Sequence, residues 1–359
     1  MTLDVEFLKD LCLAPGPSGF QAPAQEIVRR RVEAVAKVDG DPLGNIWAEV
    51  NPDGSPHVLV VAHGDQIGLI ATHVDERGFV YFDAIGTVDP QLLPGHDLVI
   101  HTKRGPVRGV VGRPPTHIIP EGERGKAPPI GEQFIDIGAS SQAVALERVT
   151  VGDPITFAPR FFELSQDIYC SLALDNRAGV YSAFRGLELY AGMSGKARLT
   201  VVSSAHEETT LMGAKALAHR FQPDCTIVVD GEFTSDYPGV DAKRIGGEHK
   251  LGGGPVLARG SAGNEPLFWL SMEVAEAEHI PVQVRAFAGY WATDGDELAA
   301  AGATATLSVA VPMRYVHTPC EVVCGEDLEA VARLLAALTR HLGEVFEPGC
   351  FVPRSGPLS

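Results

Sequence analysis

Histidine and carboxylate residues follow apolar segments at several points in the sequence. One apolar run ends at residues 63–65 with His-Gly-Asp, another at residues 206–208 with His-Glu-Glu, and a third at Asp230. In open α/β sheets, ligand sites form outside the carboxyl ends of the strands. Two histidines with several carboxylates and one spare glutamate are typical of hydrolases that activate water with two metal ions. The candidate residues are His63, Asp65, Asp175, Glu207, Glu208, Asp230 and His317.

Each of these residues, taken alone, also has a structural explanation. Asp175 stands just before a predicted helix, where aspartate is a preferred N-cap. His63 could simply bond to Asp65, because side chains two residues apart in a strand point the same way. Glu207 and Glu208 could open a solvated helix, although adjacent carboxylates repel unless a cation holds them. The chemical interpretation therefore rests on the whole set of residues.

Composition and motifs argue against several other classes of protein. Lys and Arg number 29 and Asp and Glu number 46, so the net charge is −17. That balance argues against a nucleic-acid or anionic-membrane partner, which would need clustered basic residues. The sequence has no nucleophile elbow of the form Gly-x-Ser-x-Gly, no Walker loop, and no dinucleotide-binding Gly-x-Gly-x-x-Gly after a strand.

We expect a cytoplasmic protein with reduced thiols. The apolar runs are far shorter than the ~18 residues of a membrane span, and the first residues lack the basic and apolar regions of a signal peptide. Of six cysteines, only Cys320 and Cys324 are close in sequence, and no second pair completes a zinc-site spacing.

The pattern of elements predicts an α/β fold with a β-rich insertion. Residues 1–66 and 163–359 alternate between strands and helices, which is typical of a layered α/β sheet. Residues 67–162 contain short β-like runs divided by Gly and Pro, which predict a small all-β domain. The predicted helices are 22–35, 176–190, 211–220, 266–278, 294–301 and 326–342. The predicted strands outside the insertion are 46–50, 58–61, 199–203, 226–229, 282–285 and 305–309.

With these residues in place, nearly the whole chain resembles the dinuclear metallo-aminopeptidases of metallopeptidase family 42. This family includes glutamyl aminopeptidases, TET aminopeptidases and proteins labelled cellulase M or endoglucanase. Several motifs in the same order carry the resemblance. They are APGPSG at 14–19, AHGDQIG at 62–68, DPQLLPG at 89–95, FIDIGA at 134–139 and RYVHTPCE at 314–321.

The resemblance implies a role for each ligand candidate. His63 and Asp230 are expected to hold one divalent ion. Glu208 and His317 are expected to hold a second, with Asp175 bridging the two. The nitrogen and oxygen ligands suit Zn²⁺ or Co²⁺. A cis peptide bond is implied after Asp175.

The resemblance also implies the activity and the assembly. Glu207 is expected to be the general base and Asp65 to orient His63, in an enzyme that removes N-terminal residues from short peptides. The fold implied is a mixed-sheet α/β/α catalytic domain with an inserted PDZ-like barrel. In the family this insertion mediates dimerisation, and dimers often assemble into twelve-subunit tetrahedra, so a homo-oligomer is expected.

Three other functions fit parts of the sequence. A related deacylase or specialised small-amide hydrolase could use the same metal pair, and a glycoside hydrolase would use two carboxylates without metal. A non-catalytic assembly protein is disfavoured by the complete ligand set. Chelation followed by metal rescue separates the metal-dependent activities from glycoside hydrolysis.

The sequence departs from the family pattern around the proposed site. Gln66 stands where the family has Glu, and His206 stands where it has Gln, beside the proposed base. We expect His206 to pack against neighbours. We expect the bulky Tyr290 and Trp291 to fill a core. Selection of acidic N-terminal residues would need a cationic pocket, for which the sequence offers Arg259, Arg285 and Lys250 without placing them.

Overall fold

The computed structural model describes residues 2–302 and 304–352. The strands are β1 Lys37–Gly40, β2 Ile46–Val50, β3 His57–His63, β4 Gly68–Val74, β5 Val80–Ile85, β6 Asp97–Thr102, β7 Gly105–Val111, β8 Phe134–Asp136, β9 Pro154–Phe157, β10 Phe161–Ser165, β11 Ile168–Ser171, β12 Arg198–Ser204, β13 Cys225–Phe233, β14 Val256–Gly260, β15 Gln283–Phe287, β16 Ala305–Met313 and β17 Glu321–Cys324. The helices are α1 Val5–Leu13, α2 Ala22–Val32, α3 Gln142–Leu146, α4 Leu174–Ala191, α5 Met212–Arg220, α6 Glu265–Ala277, α7 Asp294–Gly302 and α8 Gly325–Val345.

An eight-stranded mixed sheet forms the centre of the molecule, in the order β1-β2-β12-β3-β13-β16-β14-β15. Strands β12, β3, β13 and β16 are parallel neighbours. Strand β2 runs antiparallel to both strands beside it, whereas β14 runs antiparallel to β16 and parallel to β15. Every residue of β3 is buried, as expected for a parallel strand that is covered on both faces.

Helices cover both faces of this sheet. Val58 and Val60 of β3 join a core cluster that also contains residues of α1, α4, α6 and α8. Leu59 and Val61, which point the other way, join a second cluster with residues of α5 and α7. Alternate side chains of one strand therefore supply two cores, and the predicted α/β/α arrangement is confirmed.

Between β3 and β10 the chain forms a closed barrel with strand order β4-β5-β8-β7-β6-β9. It has its own core, in which Phe82, Leu98 and Ile135 are almost fully buried. The all-β structure that was predicted for this part of the chain is therefore a barrel. A separate three-stranded sheet has the order β10-β11-β17. Strands β10 and β11 follow the barrel in the chain, and β17 directly precedes α8.

Some predicted boundaries were wrong in ways that affect the site. Strand β13 was expected to end at residue 229, but its pairing with β16 continues to Phe233 opposite Met313. Asp230 therefore lies within a strand and not after it. Helix α2 ends at Val32, three residues before the predicted end.

Among the described residues, no helix combines the length and apolar character needed to cross a membrane.

Candidate active site

The carboxyl ends of the central parallel strands bring the candidate residues together. His63 is the last residue of β3, and it pairs in register with Ser204, the last residue of β12. Glu207 and Glu208 lie in the loop that follows β12. Asp230 lies on β13, which neighbours β3 on its other side.

Asp175 and His317 reach the same place from outside the parallel strands. Asp175 lies in the first turn of α4 with non-helical backbone angles, and the Asp175–Asn176 peptide bond is cis, as predicted. His317 lies between β16 and β17 at φ 62°. One buried carboxylate ties the two segments together: Glu321 accepts from the N–H of Asp175 at 3.0 Å and from the N–H of His317 at 2.9 Å.

The side chain of Asp175 lies between the two histidines. Its Oδ1 is 3.3 Å from Nε2 of His63, and its Oδ2 is 3.4 Å from Nε2 of His317. Each histidine also faces a further carboxylate. Nε2 of His63 is 3.5 Å from Asp230, and Nε2 of His317 is 3.5 Å from Glu208. One aspartate thus presents one oxygen to each of two His–carboxylate pairs.

The contact made by Nδ1 of His63 leaves its Nε2 facing the carboxylates of the site. Its Nδ1 lies 3.1 Å from the backbone oxygen of Asp65, which can only accept, so Nδ1 carries the proton. In a neutral imidazole, Nε2 then presents its lone pair to the carboxylates. This is the tautomer that a metal ligand at Nε2 requires.

Asp65 contacts more than the histidine that it was expected to orient. Its carboxylate is 3.8 Å from Nδ1 of His63, too far for a strong hydrogen bond. Its two oxygens instead accept from the backbone N–H groups of Glu207 and Glu208, each at 3.2 Å. Asp65 therefore fixes the loop that carries both glutamates, while its backbone oxygen orients His63.

The donor set fits divalent metal ions. Two groups of side chains have ligand atoms within 4.8 Å of one another: His63 with Asp175 and Glu208, and His63 with Glu207 and Asp230. Within the described residues, Oδ1 of Asp175 and Oε1 of Glu208 are buried without a hydrogen-bond partner. Buried carboxylate oxygens without partners are costly, and a bound cation would satisfy them.

The raised pKa values of several groups at the site reflect the same crowding of negative charge. Burial raises the pKa of Glu207 to about 10 and that of Glu208 to about 8, and neighbouring carboxylates add to both shifts. The hydrogen bond to Asp175 raises the pKa of His317 to about 9 against the opposing effect of burial. Burial acts to lower the pKa of His63, but the carboxylates around this residue together hold its pKa well above the usual range. Without metal, protons must supply the positive charge of the site.

This crowding predicts a pH-dependent stability for the metal-free protein. Glu207, Glu208 and His317 all have folded-state pKa values above their ordinary 4.5 and 6.5. Their stabilising contribution is fully present below the ordinary values and is lost as pH rises through the raised ones. We expect the melting temperature of chelator-treated protein to fall between about pH 5 and about pH 9. The melting temperature of metal-loaded protein should fall less over the same pH range. An equal fall for the two forms would contradict this prediction.

A cavity of about 450 Å³ opens beside these residues. Its lining includes Glu207, His317 and three further features: Arg285, the ring of Phe287 and the indole of Trp291. Of the three basic residues considered for this pocket, Arg285 lines it, whereas Arg259 pairs with Glu265 elsewhere. Lys250 lines a different cleft.

The two aromatic residues expected in a core behave differently from each other. Trp291 is 6% exposed, and it also contributes to the cavity wall. Tyr290 is 86% exposed, so its predicted core role was wrong. His206 is half-buried, with its ring close enough to Gly19 that a Cβ there would lie 3.5 Å from its Cε1.

Sequence reasoning missed two buried carboxylates beside the site. Glu321 is 2% exposed and Asp294 is 1% exposed. Asp294 accepts from the hydroxyl of Ser204, and burial raises its pKa to about 7. Glu321 lies in the motif at 314–321 that carries the family resemblance, which was the available signal.

Comparison with known proteins agrees with this geometry. A family model described as M42 glutamyl aminopeptidase matches residues 44–334. The lysyl aminopeptidase of Pyrococcus furiosus is 30% identical over 345 residues, covering 95% of this chain and 98% of that protein.

Solved structures match over almost the whole chain as well. A TET aminopeptidase from a marine sediment Thaumarchaeota archaeon superposes with a TM-score of 0.87 at 30% identity, covering 94% of this chain and 96% of that one. The TET1 peptidase of Pyrococcus horikoshii, which can assemble into a tetrahedron or a large octahedral shell, superposes with a TM-score of 0.84 at 28% identity, covering 93% and 98%. With the family match across most of its length, the chain belongs to the M42 glutamyl aminopeptidase family and is a metal-dependent aminopeptidase.

Proposed function

We propose that this aminopeptidase binds two divalent ions per subunit and uses them to remove N-terminal residues from short peptides. One observation carries the proposal: the two carboxylate oxygens of Asp175 face two different histidines, at 3.3 and 3.4 Å. A bridging carboxylate between two His–carboxylate pairs is the ligand arrangement expected of a two-metal hydrolytic site.

The proposed ligands divide into two sets that share Asp175. His63 and Asp230 would hold one ion, and Glu208 and His317 would hold the other. Bound ions would lower the pKa of a shared water, polarise the scissile carbonyl and keep Glu207 ionised at neutral pH. Nitrogen and carboxylate ligands without thiolates suit Zn²⁺ or Co²⁺.

Glu207 is the proposed general base. Its Oε2 lies 3.8 Å from Nε2 of His63, its side chain is 10% exposed, and it lines the cavity. From there it can accept a proton from water and pass it to the leaving amine. The hydrogen bond from its backbone N–H to Asp65 limits how far the loop can move.

Metal removal and return test the proposal directly. We expect EDTA treatment to abolish hydrolysis of aminoacyl p-nitroanilides, and Zn²⁺ or Co²⁺ to restore it. Return of the metal should also stabilise the fold, by about 2.7 kcal/mol for a ligand at 100 times its Kd. Elemental analysis should find two ions per chain. Full activity after exhaustive chelation, or activity confined to N-acylated substrates, would contradict the proposal.

We also propose a homo-oligomer in which the domain formed by residues 67–162 mediates dimerisation, with residues 1–66 and 163–359 as the catalytic domain. The described structure ends at residue 352. Support comes from the closed barrel with its own core and from the dodecamer that one related TET1 structure contains. Light scattering would give the mass of the assembly, and a monomer at micromolar concentration would contradict it.

A cytoplasmic location is proposed on the state of the cysteines. Within the described ranges all six are free, and four are buried. Free buried thiols are typical of reducing compartments. Fractionation of the native cell, followed by an activity assay, would test the location.

A further inference from the structure

A buried ion pair lies on the cavity wall beside the proposed metal ligands. Asp230 and Glu232 are two residues apart on β13, so their side chains leave the same face of the sheet. The guanidinium of Arg285, on β15, donates to the carboxylate of Glu232. Both residues line the cavity that also contains Glu207.

The sheet between these two residues leaves room for the contact. Strands β16 and β14 separate β13 from β15. Ala258 of β14 is in register with Arg285, and the residues of β16 on the cavity wall are Ser308 and Ala310. Small side chains here allow the long side chain of Arg285 to cross the sheet surface.

The pair is held firmly in one arrangement. The side chain of Arg285 is 17% exposed and that of Glu232 is 5% exposed. The guanidinium carbon lies 3.9 Å from the ring centroid of Phe287 and 5.7 Å from that of Phe233. A planar guanidinium between an aromatic ring and a carboxylate has little freedom to turn towards another partner.

The charges of the pair cancel where a substrate side chain would lie. Among the described lining residues, Arg285 is the one Lys or Arg, and Glu232 neutralises it. The uncharged part of the lining has apolar side chains, from Leu211, Phe233, Phe287, Trp291 and Val316, and the hydroxyls of Thr87, Thr293 and Ser308. A charged side chain that packs against the pair would lose hydration, and neither Glu232 nor Arg285 would offer it an unpaired charge.

We propose that the Glu232–Arg285 pair determines which N-terminal residue is accepted, selecting uncharged apolar side chains over acidic and basic ones. This inference rests on the proposed function of the same site. It makes Glu232 and Arg285 specificity residues: Glu232 masks a cation that would otherwise attract acidic substrates, and Arg285 masks an anion that would attract basic ones.

Substitution of each partner should shift selectivity in opposite directions. Glu232→Gln keeps an oxygen for Arg285 but removes the negative charge, so the ratio of kcat/KM for Glu- over Leu-p-nitroanilide should rise at least about tenfold. Arg285→Met keeps the apolar stem of the side chain but removes the cation. Burial raises the pKa of Glu232 to about 7, so at alkaline pH, where this carboxylate is ionised, the ratio for Lys- over Leu-p-nitroanilide should rise by a similar factor. The unmodified protein should prefer the Leu substrate to both.

Two further variants provide the controls. Arg259→Gln removes a neighbouring arginine whose partner is Glu265 and which does not line the cavity, so the order of substrates should not change. The double variant Glu232→Gln/Arg285→Met is neutral again and should return to the preference for Leu. If a single variant fails to fold because one buried charge is unpaired, the double variant still tests the inference.

The outcomes separate this inference from the function on which it rests. If the unmodified protein cleaves none of the three substrates, the proposed function fails. If it cleaves them but the single variants keep its order of preference, or the double variant prefers a charged substrate, the inference about the pair fails and the aminopeptidase assignment stands.

Discussion

Glu207→Gln should lower kcat by a factor of about 10²–10⁴, the usual contribution of a general base, while both metal ions remain bound. The amide cannot accept a proton from water, but its size and its backbone contact with Asp65 are preserved. The measurement is steady-state hydrolysis of an aminoacyl p-nitroanilide, together with metal analysis of the same sample.

The metal content decides between two roles for this residue. Glu207 also belongs to a group with His63 and Asp230 whose ligand atoms lie within 4.8 Å of one another. If Glu207 were a ligand, the variant would lose metal along with activity. Glu248→Gln, an exposed change of the same type away from the cavity, is the matched control and should keep full activity. An active Glu207→Gln protein would overturn the assignment of the base.

Asp175→Asn should remove most of the bound metal and all measurable turnover. The carboxylate offers one oxygen towards each histidine, whereas an asparagine offers one oxygen and an NH₂ group that cannot bind a cation. We therefore expect the metal content to fall from about two ions per chain to one or fewer.

The fold should survive this substitution, so that the loss is specific to the metal site. Burial acts to raise the pKa of Asp175, but hydrogen bonds from His317 and His63 hold it below its usual range. The substitution therefore removes a stabilising contact from the metal-free protein, and we expect a lower melting temperature with the folded structure intact. Circular dichroism and a melting curve check the fold, and Asp241→Asn, in an exposed segment, is the control. Two tightly bound ions in Asp175→Asn would show that this residue is not the bridge.

The sequence was sufficient for the fold class and for the set of residues that gather at the site. Apolar runs marked the central strands, and His63 lies at the end of one of them, where it was expected. The alternation of β3 between two helix-covered faces follows directly from its period of two. Strand ends were less predictable, since Asp230 lies inside β13 only because β16 continues beside it.

Long-range contacts could not be predicted, because they depend on pairs far apart in the chain. Glu321 accepts from the N–H of Asp175, which is 146 positions away. Arg285 meets Glu232 across 53 positions. The carboxylate of Asp65 was assigned to His63 on sequence spacing, but its hydrogen bonds reach Glu207 and Glu208 on the neighbouring loop. In each case the local sequence pattern indicated the type of residue, but its partner was determined by the tertiary fold.

The contacts of Glu321 have a consequence for how the enzyme matures during synthesis. It lies on β17, which pairs with β11 just ahead of Asp175, and it holds the N–H groups of both Asp175 and His317. A nascent chain that has exposed the barrel and most of the central sheet still lacks this strand. Because domains fold as units while the ribosome adds residues from the N-terminus, the barrel can fold early, but the active site is assembled only when the last strand emerges. A half-made chain therefore cannot act as a peptidase on its neighbours.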